Sequence, residues 1–422
     1  MKILVVSQAD IHGGAARAAT RLHRGFIEQG YRSTMLVARR AGDDQTVVGP
    51  RSGYANTWAD VRNYLAAPLH ALHNANDGGL QSFNILPSGM HKKINAMDVD
   101  IVNLHWVNRE MMSIAEIGKI RHPIVWTLHD MWAFSGAGHY EHLEYPNRYL
   151  SGYTKDNVPA GSSRLDRWVY RRKKRHWTDR AMHFVTPSGW LAECVRRSEL
   201  LQGRPVTQIQ NCLDLQTFRP LDRDKARELL GLPRDRRFLL FAAMFSSSDT
   251  RKGYKQLQSA LQLCESELNE LELLVMGASE PLEAEDMGFP VRYLGKLQDE
   301  LSAALVYAAA DALVAPSLQD NLPNTVLEAL ACGTPCVAFD TGGLPDLIQH
   351  RRNGALATAF SAESLAEQII WLLQSEEYEQ LCQRARAGVE KMNSTAVVTR
   401  QYESVFRDAL ENTTHSPHHR VL

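Results

Sequence analysis

The sequence has no long apolar run, no strong net charge and no cysteine spacing typical of a zinc site. No run approaches the roughly 20 apolar residues that a membrane-spanning helix needs. The 47 basic and 48 acidic residues leave a formal charge of -1, so bulk electrostatics do not favour nucleic acid as a partner. The six cysteines are scattered, and we predict that Cys332 and Cys336, which bracket a turn, are buried. These absences indicate a cytoplasmic, reducing location for the chain.

A glycine-rich turn near the start of the chain indicates the fold class. Apolar residues make up 44% of the 422, which is enough for two domains of ordinary size. A strand over residues 2–7 is followed by Gly13 and Gly14, a helical pattern, and a second strand over 33–38. This order predicts a doubly wound α/β domain. The glycines do not spell G-x-G-x-x-G, so they either admit a ligand to the backbone or only form a tight turn.

The most informative stretch is residues 320–343, D-N-L-P-N-T-V-L-E-A-L-A-C-G-T-P-C-V-A-F-D-T-G-G. A buried strand precedes it, and a helix is predicted to begin near Leu322, with Pro323 in its first turn. Such a strand–loop–helix turn presents backbone N–H groups and a positive helix end, which suit a diphosphate. The carboxylates of Asp320 and Glu328 would repel phosphate but can accept hydrogen bonds from sugar hydroxyls. A nucleotide sugar offers both kinds of group.

This stretch resembles the donor-site motif of retaining family 4 glycosyltransferases. The motif is normally E-x7-E with a later G-G, and here Asp320 takes the first place. The resemblance covers essentially the whole chain and implies the GT-B fold, in which two doubly wound Rossmann-like α/β domains face one another across a cleft. It implies an acceptor-side domain (1–211), a donor domain (212–394) and a helix crossing back to the first domain (395–412). The histidine-containing tail (413–422) is expected to be disordered.

The resemblance also implies the reaction and the residues that carry it. A sugar would pass from a nucleotide-sugar donor to a glycan or polyprenyl-linked oligosaccharide, with retention at the anomeric carbon and without a metal or other cofactor. Lys252 would neutralise the departing diphosphate, and His129 would contact the transferred sugar. Asp320 would bind hydroxyls of that sugar, and Glu328 would bind the ribose. The donor-binding residues would be Gly13, Gly14, Arg251, Gly277, Leu294, Asn321, Leu322, Pro323 and Asn324.

The chain departs from the family pattern beside the expected diphosphate. The family loop carries an arginine about six residues before the lysine, whereas this chain has Phe-Ser-Ser over residues 245–247. Arg251, adjacent to Lys252, is a candidate replacement, and Asp320 is one methylene shorter than the usual glutamate. These departures leave open a catalytically degenerate sugar-binding homologue. A nucleotide-sugar epimerase or a phosphorylase on the same fold is a separate alternative.

Two histidines follow buried strands in the first half of the chain. Binding groups in doubly wound sheets lie at the carboxyl ends of strands, where His105 and His129 are expected. The sequence T-L-H-D around His129 resembles the sugar-contacting histidine of the family, whereas His105 could have a structural or a binding role. A helix is expected from Trp106 to about Ile120.

The polar loop after His129 is either a metal site or a surface loop near the acceptor. His139, Glu141, His142 and Glu144 have side chains that could in principle bind a metal, in place of cysteines that close relatives often carry there. The simpler interpretation is a set of surface loop residues.

The most basic stretch is Arg164–Arg180, in which Trp168, Tyr170 and Trp177 interleave with the cations. It is either a solvated helix face or a patch for anionic lipid head groups. The second interpretation would place the protein on the inner face of the plasma membrane.

Overall fold

The computed structural model describes all residues except 51–60, 69–78, 143–144, 158–163, 243–248, 282–285, 298 and 415–422. The chain forms two compact units, one of residues 1–212 with 395–422 and the other of Leu213–Ser394. The division falls one residue after the boundary expected from the sequence. Each unit is built around a parallel sheet, which confirms the doubly wound α/β class.

The first unit contains a seven-stranded sheet in the order β3-β2-β1-β4-β5-β6-β7. Its strands are β1 (Lys2–Ala9), β2 (Arg32–Arg39), β3 (Val47–Val48), β4 (Ile101–Leu104), β5 (Ile124–Thr127), β6 (Met182–Thr186) and β7 (Val206–Gln208). Its helices are α1 (Gly14–Glu28), α2 (61–68), α3 (Met90–Asn95), α4 (Ile114–Ile117), α5 (Arg148–Ser151), α6 (Leu165–Trp177), α7 (Gly189–Arg197) and α14 (Thr395–Thr414).

Apolar side chains cover both faces of this sheet. Because side chains alternate along a strand, Leu4 and Val6 join a core that includes α6, whereas Ile3 and Val5 join a core that includes α1 and α14. Helix α14 therefore packs on the opposite face of the sheet from α6. The helix expected over 395–412 corresponds to α14, which extends to Thr414, so residues 413–414 of the expected disordered tail are helical. Residues 415–422 lie outside the described residues.

The second unit contains a six-stranded parallel sheet in the order β10-β9-β8-β11-β12-β13. Its strands are β8 (Arg237–Ala242), β9 (Leu271–Met276), β10 (Val291–Gly295), β11 (Ala312–Ala315), β12 (Cys336–Phe339) and β13 (Gly354–Ala357). Its helices are α8 (Arg223–Leu229), α9 (Tyr254–Cys264), α10 (Glu300–Ala309), α11 (Asn324–Ala331), α12 (Ala362–Leu373) and α13 (Tyr378–Asn393), with 3-10 turns at Thr250–Lys252 and Leu344–Asp346.

The helix expected from Trp106 to about Ile120 is wrong, because only α4 is helical there. Hydrogen bonds to a segment distant in sequence keep the residues before α4 from forming a helix. The side chain of Asn84 donates to the carbonyls of Val107 and Met112, both at 2.9 Å. A carboxylate oxygen of Glu110 accepts from two backbone N–H groups of the same segment, each at 2.8 Å. These bonds satisfy backbone groups that a helix would otherwise pair.

Candidate active site

The loop that carries Lys252 packs directly on the loop that follows β11. The backbone N–H of Leu318 donates to the carbonyl of Arg251 at 2.7 Å. Gly253 has a φ of 68°, and a Cβ at this position would lie 1.8 Å from the carbonyl oxygen of Pro316. Only glycine permits this approach, because any larger residue would collide with the backbone. Gly253 therefore fixes the position of the adjacent backbone of Lys252.

Lys252 and Asp320 form an ion pair within this contact. The distance from Nζ of Lys252 to Oδ2 of Asp320 is 2.6 Å, and the two side chains are 26% and 11% exposed. Burial alone would raise the pKa of Asp320, but the charge and hydrogen bond of Lys252 outweigh it and hold that pKa below its ordinary value. Two predicted site residues that are 68 positions apart in the sequence are thus brought together.

The G-G pair of the motif fixes the backbone of Asp320. Its carbonyl oxygen accepts from the N–H of Gly343 at 3.0 Å. Gly342 has a φ of 57°, and a Cβ there would lie 2.1 Å from the same carbonyl oxygen. The carboxylate is therefore held from the backbone side as well as by Lys252. Gly342 permits this close approach, and a short 3-10 turn follows the G-G pair.

Helix α11 carries the second acidic residue of the motif. It follows Pro323 and begins at Asn324, two residues after the start expected at Leu322, and no side chain caps its first turn. Glu328 is buried, and its Oε2 accepts a hydrogen bond from the hydroxyl of Tyr307 on α10 at 2.9 Å. Sequence reasoning missed Tyr307. The available signal was a tyrosine within a mostly apolar helix, because a buried tyrosine hydroxyl usually needs a partner.

The residues between the two carboxylates are largely covered by protein. The N–H of Asn321 donates to Oδ1 of Asp320 at 2.9 Å, and the side chain of Leu322 lies in the core beneath α11. A ligand would therefore reach Leu322 through its backbone rather than through its side chain.

Arg251 lies beside Lys252 but directs its guanidinium elsewhere in the same turn. Its Nη2 donates to Oδ2 of Asp249 at 2.8 Å and its Nη1 to the carbonyl of Gln319 at 3.4 Å. The stretch 245–247, where the family arginine is missing, lies outside the described residues. A role for Arg251 at a diphosphate stays a prediction, and it would require the guanidinium to contact a ligand as well as Asp249.

Two glycines connect the ends of β9 and β10. The N–H of Gly277 donates to the carbonyl of Gly295 at 2.8 Å, and both residues have positive φ, 101° and 65°. A cavity of about 560 Å³ runs along β10 and includes Leu294. Its lining residues are Glu272, Ser279, Glu280, Val291, Arg292, Tyr293, Leu294 and Gly295.

In the first unit, the glycine turn after β1 leads directly into a helix. Gly13 precedes α1 with a φ of 101°, and no side chain caps the helix. A Cβ at Gly13 would meet no atom within 4 Å, so positive φ, and not crowding, requires glycine here. The turn is open enough for a ligand, and the geometry also fits a tight turn alone.

His129 lies at the carboxyl end of β5 and contacts the other predicted histidine. Nε2 of His129 is 2.9 Å from Nδ1 of His105, and the two ring planes differ by 26° with centroids 5.2 Å apart, as in an edge-to-edge hydrogen bond. Burial lowers the pKa of His129 to about 4, although the nearby carboxylate of Asp130 opposes this shift. The imidazole is therefore neutral near pH 7. His105 is buried and acts on His129 directly.

Asp130 is the centre of a second polar cluster in the same unit. Its Oδ2 accepts from the indole N–H of Trp106 at 2.9 Å and from Nδ1 of His139 at 2.6 Å. Nε2 of His139 faces the hydroxyl of Ser82 at 2.9 Å. Burial would raise the pKa of Asp130, but His139 and these donors hold it below its ordinary value. His139 is thus a buried partner of Asp130 rather than a surface loop residue.

The other residues considered for a metal make separate contacts. Glu141 accepts hydrogen bonds from the N–H of Arg148 and the hydroxyl of Tyr153, both at 3.0 Å. His142 contacts Tyr145 through its ring, and Glu144 lies outside the described residues. Among the residues that the structure describes, no group of three or more histidine, cysteine, aspartate or glutamate side chains is placed to hold a metal ion.

The basic stretch forms α6, but its cations are not all exposed. Lys173 is fully buried, with Nζ 3.9 Å from the ring centre of Trp132. This Nζ donates to the carbonyls of Trp132, Ser135 (3.2 Å) and Gly136 (2.7 Å). Burial lowers the pKa of Lys173 well below its ordinary value. The exposed members of the stretch within the described residues include Arg164, Trp168, Arg171, Lys174 and Arg175.

Comparison with known proteins assigns the chain to a family. Residues 12–217 match the model described as Glycosyltransferase Family 4, and residues 236–375 match the model described as Glycosyl transferases group 1. The chain belongs to the family 4 glycosyltransferases, with the GT-B fold.

Curated relatives carry related names. The chain is 26% identical over 223 residues to N-acetyl-alpha-D-glucosaminyl L-malate synthase of Bacillus anthracis, covering 50% of this chain and 55% of that protein. It is 32% identical over 197 residues to D-inositol 3-phosphate glycosyltransferase 2 of Catenulispora acidiphila, covering 43% and 45%. The matches thus span about half the length of these two relatives. The phosphatidyl-myo-inositol mannosyltransferase of Mycolicibacterium smegmatis is 24% identical over 382 residues, and 87% of each chain is covered.

Solved structures share the fold over nearly the whole chain. Sucrose-phosphate synthase from Thermosynechococcus elongatus superposes with a TM-score of 0.66 at 16% identity, covering 98% of this chain and 100% of that one. Anabaena HepE in complex with UDP and glucose gives a TM-score of 0.62 at 16% identity, covering 96% and 99%. None of the described helices is long and apolar enough to cross a membrane.

Proposed function

We propose that the protein transfers a sugar from a nucleotide-sugar donor to a hydroxyl of a glycan or polyprenyl-linked oligosaccharide, with retention of anomeric configuration. The acceptor oxygen forms a bond to the anomeric carbon as the bond from that carbon to the diphosphate oxygen breaks. The acceptor proton passes to the departing nucleoside diphosphate. No oxidant, reductant or metal is needed for this balance.

The observation that carries the proposal is the Lys252–Asp320 ion pair beside the start of α11. A helix start and a lysine both favour anionic oxygen, whereas a carboxylate favours sugar hydroxyls. The 2.6 Å distance between Nζ and Oδ2 places a group that binds anionic oxygen next to a group that binds hydroxyls. A diphosphate joined to a sugar presents the matching groups in the same order. Lys252 would stabilise the charge that develops on the departing diphosphate.

The same unit also offers candidate groups for the nucleoside end of the donor. Glu328 is a buried carboxylate on α11 and is our candidate for the ribose hydroxyls. The cavity along β10, with Leu294 and Gly295, is our candidate for the base. In the first unit, His129 is our candidate for contact with the transferred sugar, since it lies at the carboxyl end of β5.

We test the proposal first by ligand-dependent stability. A panel of UDP-, GDP- and ADP-sugars is added to the protein and the melting temperature is recorded, because a ligand that binds only the native state raises its stability. Nucleotide sugars with one of the three bases should raise the melting temperature more than the others. The corresponding nucleoside diphosphate without a sugar should raise it less than the nucleotide sugar does. A chelator should leave turnover unchanged. If no nucleotide sugar shifts the melting temperature at millimolar concentration, the donor assignment is wrong.

We also propose that the exposed face of α6 contacts an anionic membrane surface. Arg171 and Arg175 are exposed, and Trp168 is 40% exposed, with the guanidinium of Arg172 4.9 Å from its ring centre. Cations next to an amphipathic aromatic ring suit the head-group region of a bilayer, and a polyprenyl-linked acceptor would be found there. This contact would place the protein on the inner face of the plasma membrane.

A further inference from the structure

Side chains from two neighbouring strands and α14 form a continuous chain of hydrogen bonds that ends at His129. Strands β4 and β5 pair in parallel, with Asn103 opposite Val125. Both strands carry the same local pattern, a polar residue, a leucine and a histidine: Asn-Leu-His over 103–105 and Thr-Leu-His over 127–129. Because alternate residues share a face, the polar residue and the histidine of each strand lie on one side of the sheet.

The contacts follow this pattern step by step. The hydroxyl of Tyr402 on α14 lies 3.0 Å from Oγ1 of Thr127. Nδ2 of Asn103 donates to that Oγ1 at 3.1 Å, and Oδ1 of Asn103 faces Nε2 of His105 at 2.9 Å. Nδ1 of His105 faces Nε2 of His129 at 2.9 Å. Asn103, Thr127 and Tyr402 are all buried.

One further hydrogen bond fixes which atoms donate and which accept along the whole chain of hydrogen bonds. Nδ2 of Asn103 also donates to the carbonyl of Val125 at 3.0 Å. A carbonyl oxygen can only accept, so the amide of Asn103 cannot be flipped without placing two acceptors against each other. Oδ1 of Asn103 therefore faces His105 and requires the proton of that ring on Nε2. Nδ1 of His105 is then an acceptor, and Nε2 of His129 must donate to it.

We propose that His105, oriented by Asn103, is a positioning residue that holds His129 in the tautomer protonated on Nε2. In this tautomer Nδ1 of His129 carries no proton and can only accept a hydrogen bond. Any partner of Nδ1 must therefore be a donor, as a hydroxyl of the transferred sugar would be, a consequence that rests on the function proposed above. Burial also lowers the pKa of both rings, so neither imidazole is charged near neutral pH.

The chain of hydrogen bonds also connects His129 to α14. Tyr402 belongs to α14, almost 300 residues after Asn103, and packs beside Phe26 and Phe406 in the core on that face of the sheet. Docking of α14 therefore places the hydroxyl that completes the chain. Loss of that hydroxyl should matter less than loss of Asn103, since Asn103 keeps its bond to Val125.

The tautomer can be measured directly by ¹⁵N NMR of the full-length protein with labelled histidine. The signals of His129 are assigned by their absence in His129→Gln. Wild-type His129 should be protonated on Nε2. In His105→Phe, which keeps a flat ring against His129 but removes the acceptor, both tautomers should be populated. His105→Asn, whose side-chain oxygen can replace Nδ1, should restore the wild-type spectrum.

Activity gives a second readout with its own control. In His105→Phe the kcat should fall roughly 10-fold with a smaller change in KM for the donor, because a buried hydrogen bond to His129 is left unmade. His105→Asn should recover most of that loss. His183→Phe is the matched control, since His183 is a buried histidine on β6 bonded to Thr207 and outside the chain. It should leave the tautomer of His129 unchanged.

The outcomes separate this inference from the proposed function. Wild-type His129 protonated on Nδ1, or a tautomer that His105→Phe and Asn103→Leu both leave unchanged, would overturn the inference. The wild-type spectrum can overturn the inference by itself even if a variant does not fold. If the tautomers respond as expected but no nucleotide sugar is turned over, the positioning chain stands and the proposed transferase function is wrong.

Discussion

At the residue scale, the lysine expected at the diphosphate forms an ion pair with the carboxylate expected at the sugar. Lys252 and Asp320 are each other's partner at 2.6 Å, although the sequence assigns them to different parts of the donor. A bound diphosphate would therefore share Lys252 with Asp320 rather than find it unpaired. Such sharing keeps the lysine in place before the reaction, which is what electrostatic stabilisation of a leaving group requires.

Replacing Lys252 should remove most of the activity. Lys252→Ala should lower kcat by roughly 10²–10³-fold, the scale for loss of one electrostatic contact in a transition state. Lys255→Ala is the matched control, because Lys255 is exposed three residues further on, in α9. Circular dichroism checks that each variant folds. Equal turnover in the folded Lys252→Ala and Lys255→Ala variants would remove Lys252 from the mechanism.

We expect the loop that carries Asp320 to be adapted to aspartate, whose side chain is shorter than the usual glutamate. Its backbone is held by Gly342 and Gly343, so a longer side chain could not draw back. Asp320→Asn keeps the size but removes the charge, and should lower kcat/KM roughly 10-fold or more. Asp320→Glu should bring no gain, even though it restores the usual family residue. A several-fold gain from the glutamate would show that this site is a weakened form of the family pattern.

At the scale of elements, apolar strands and the donor motif were predictable, whereas contacts across the chain were not. The buried strand expected before the motif corresponds to β11, whose apolar run is short and bounded by turns. Strand β3 escaped prediction because two residues show no periodicity. The burial of Lys173 could not be foreseen from a basic run, since three carbonyls of another segment receive its charge.

Helix α6 gives a prediction about membranes that respects the burial of Lys173. Arg171→Gln with Arg175→Gln removes two exposed cations and leaves Lys173 intact. At about 1 kcal/mol for each cation, binding to anionic liposomes should weaken roughly 30-fold at low salt and less at high salt. Co-sedimentation with phosphatidylglycerol vesicles measures this.

The control is a change of equal charge on the opposite face of the sheet. Arg400→Gln with Arg407→Gln lies on α14, which packs on that face, and should bind vesicles like the wild type. Equal binding of the wild type to neutral and anionic vesicles would mean that the basic face of α6 is only a solvated surface.

At the scale of the whole molecule, buried neutral histidines should make the first unit sensitive to acid. Burial lowers the pKa of His23 to about 4; the carboxylate of Asp44 opposes this shift, and the charge of Arg24 adds to it. In the unfolded chain the same ring titrates near 6.5, so the unfolded state gains protons first as the pH falls from about 6.5 to 4. Stability is therefore lost through that window and is fully present above it.

The size of this effect can be measured by urea unfolding. His23 alone should make the first unit about 2 kcal/mol less stable at pH 5 than at pH 7. Tryptophan fluorescence reports on this unit, because all of the eight tryptophans except Trp371 lie in residues 1–212. His23→Gln, which can still bond Ser33 or Thr46, should reduce the pH dependence by that amount. An unchanged pH dependence would mean that His23 is protonated in the folded protein.

The most direct test of the transferase assignment is the fate of the stabilising nucleotide sugar when the acceptor is only water. The reaction is followed by ¹H NMR, with the wild type and Lys252→Ala compared at equal concentration. We predict slow release of the nucleoside diphosphate from the wild type, a first-formed free sugar with the anomeric configuration of the donor, and little release from the variant. Conversion of the donor to a different nucleotide sugar, or no release from any donor that binds, would contradict the account.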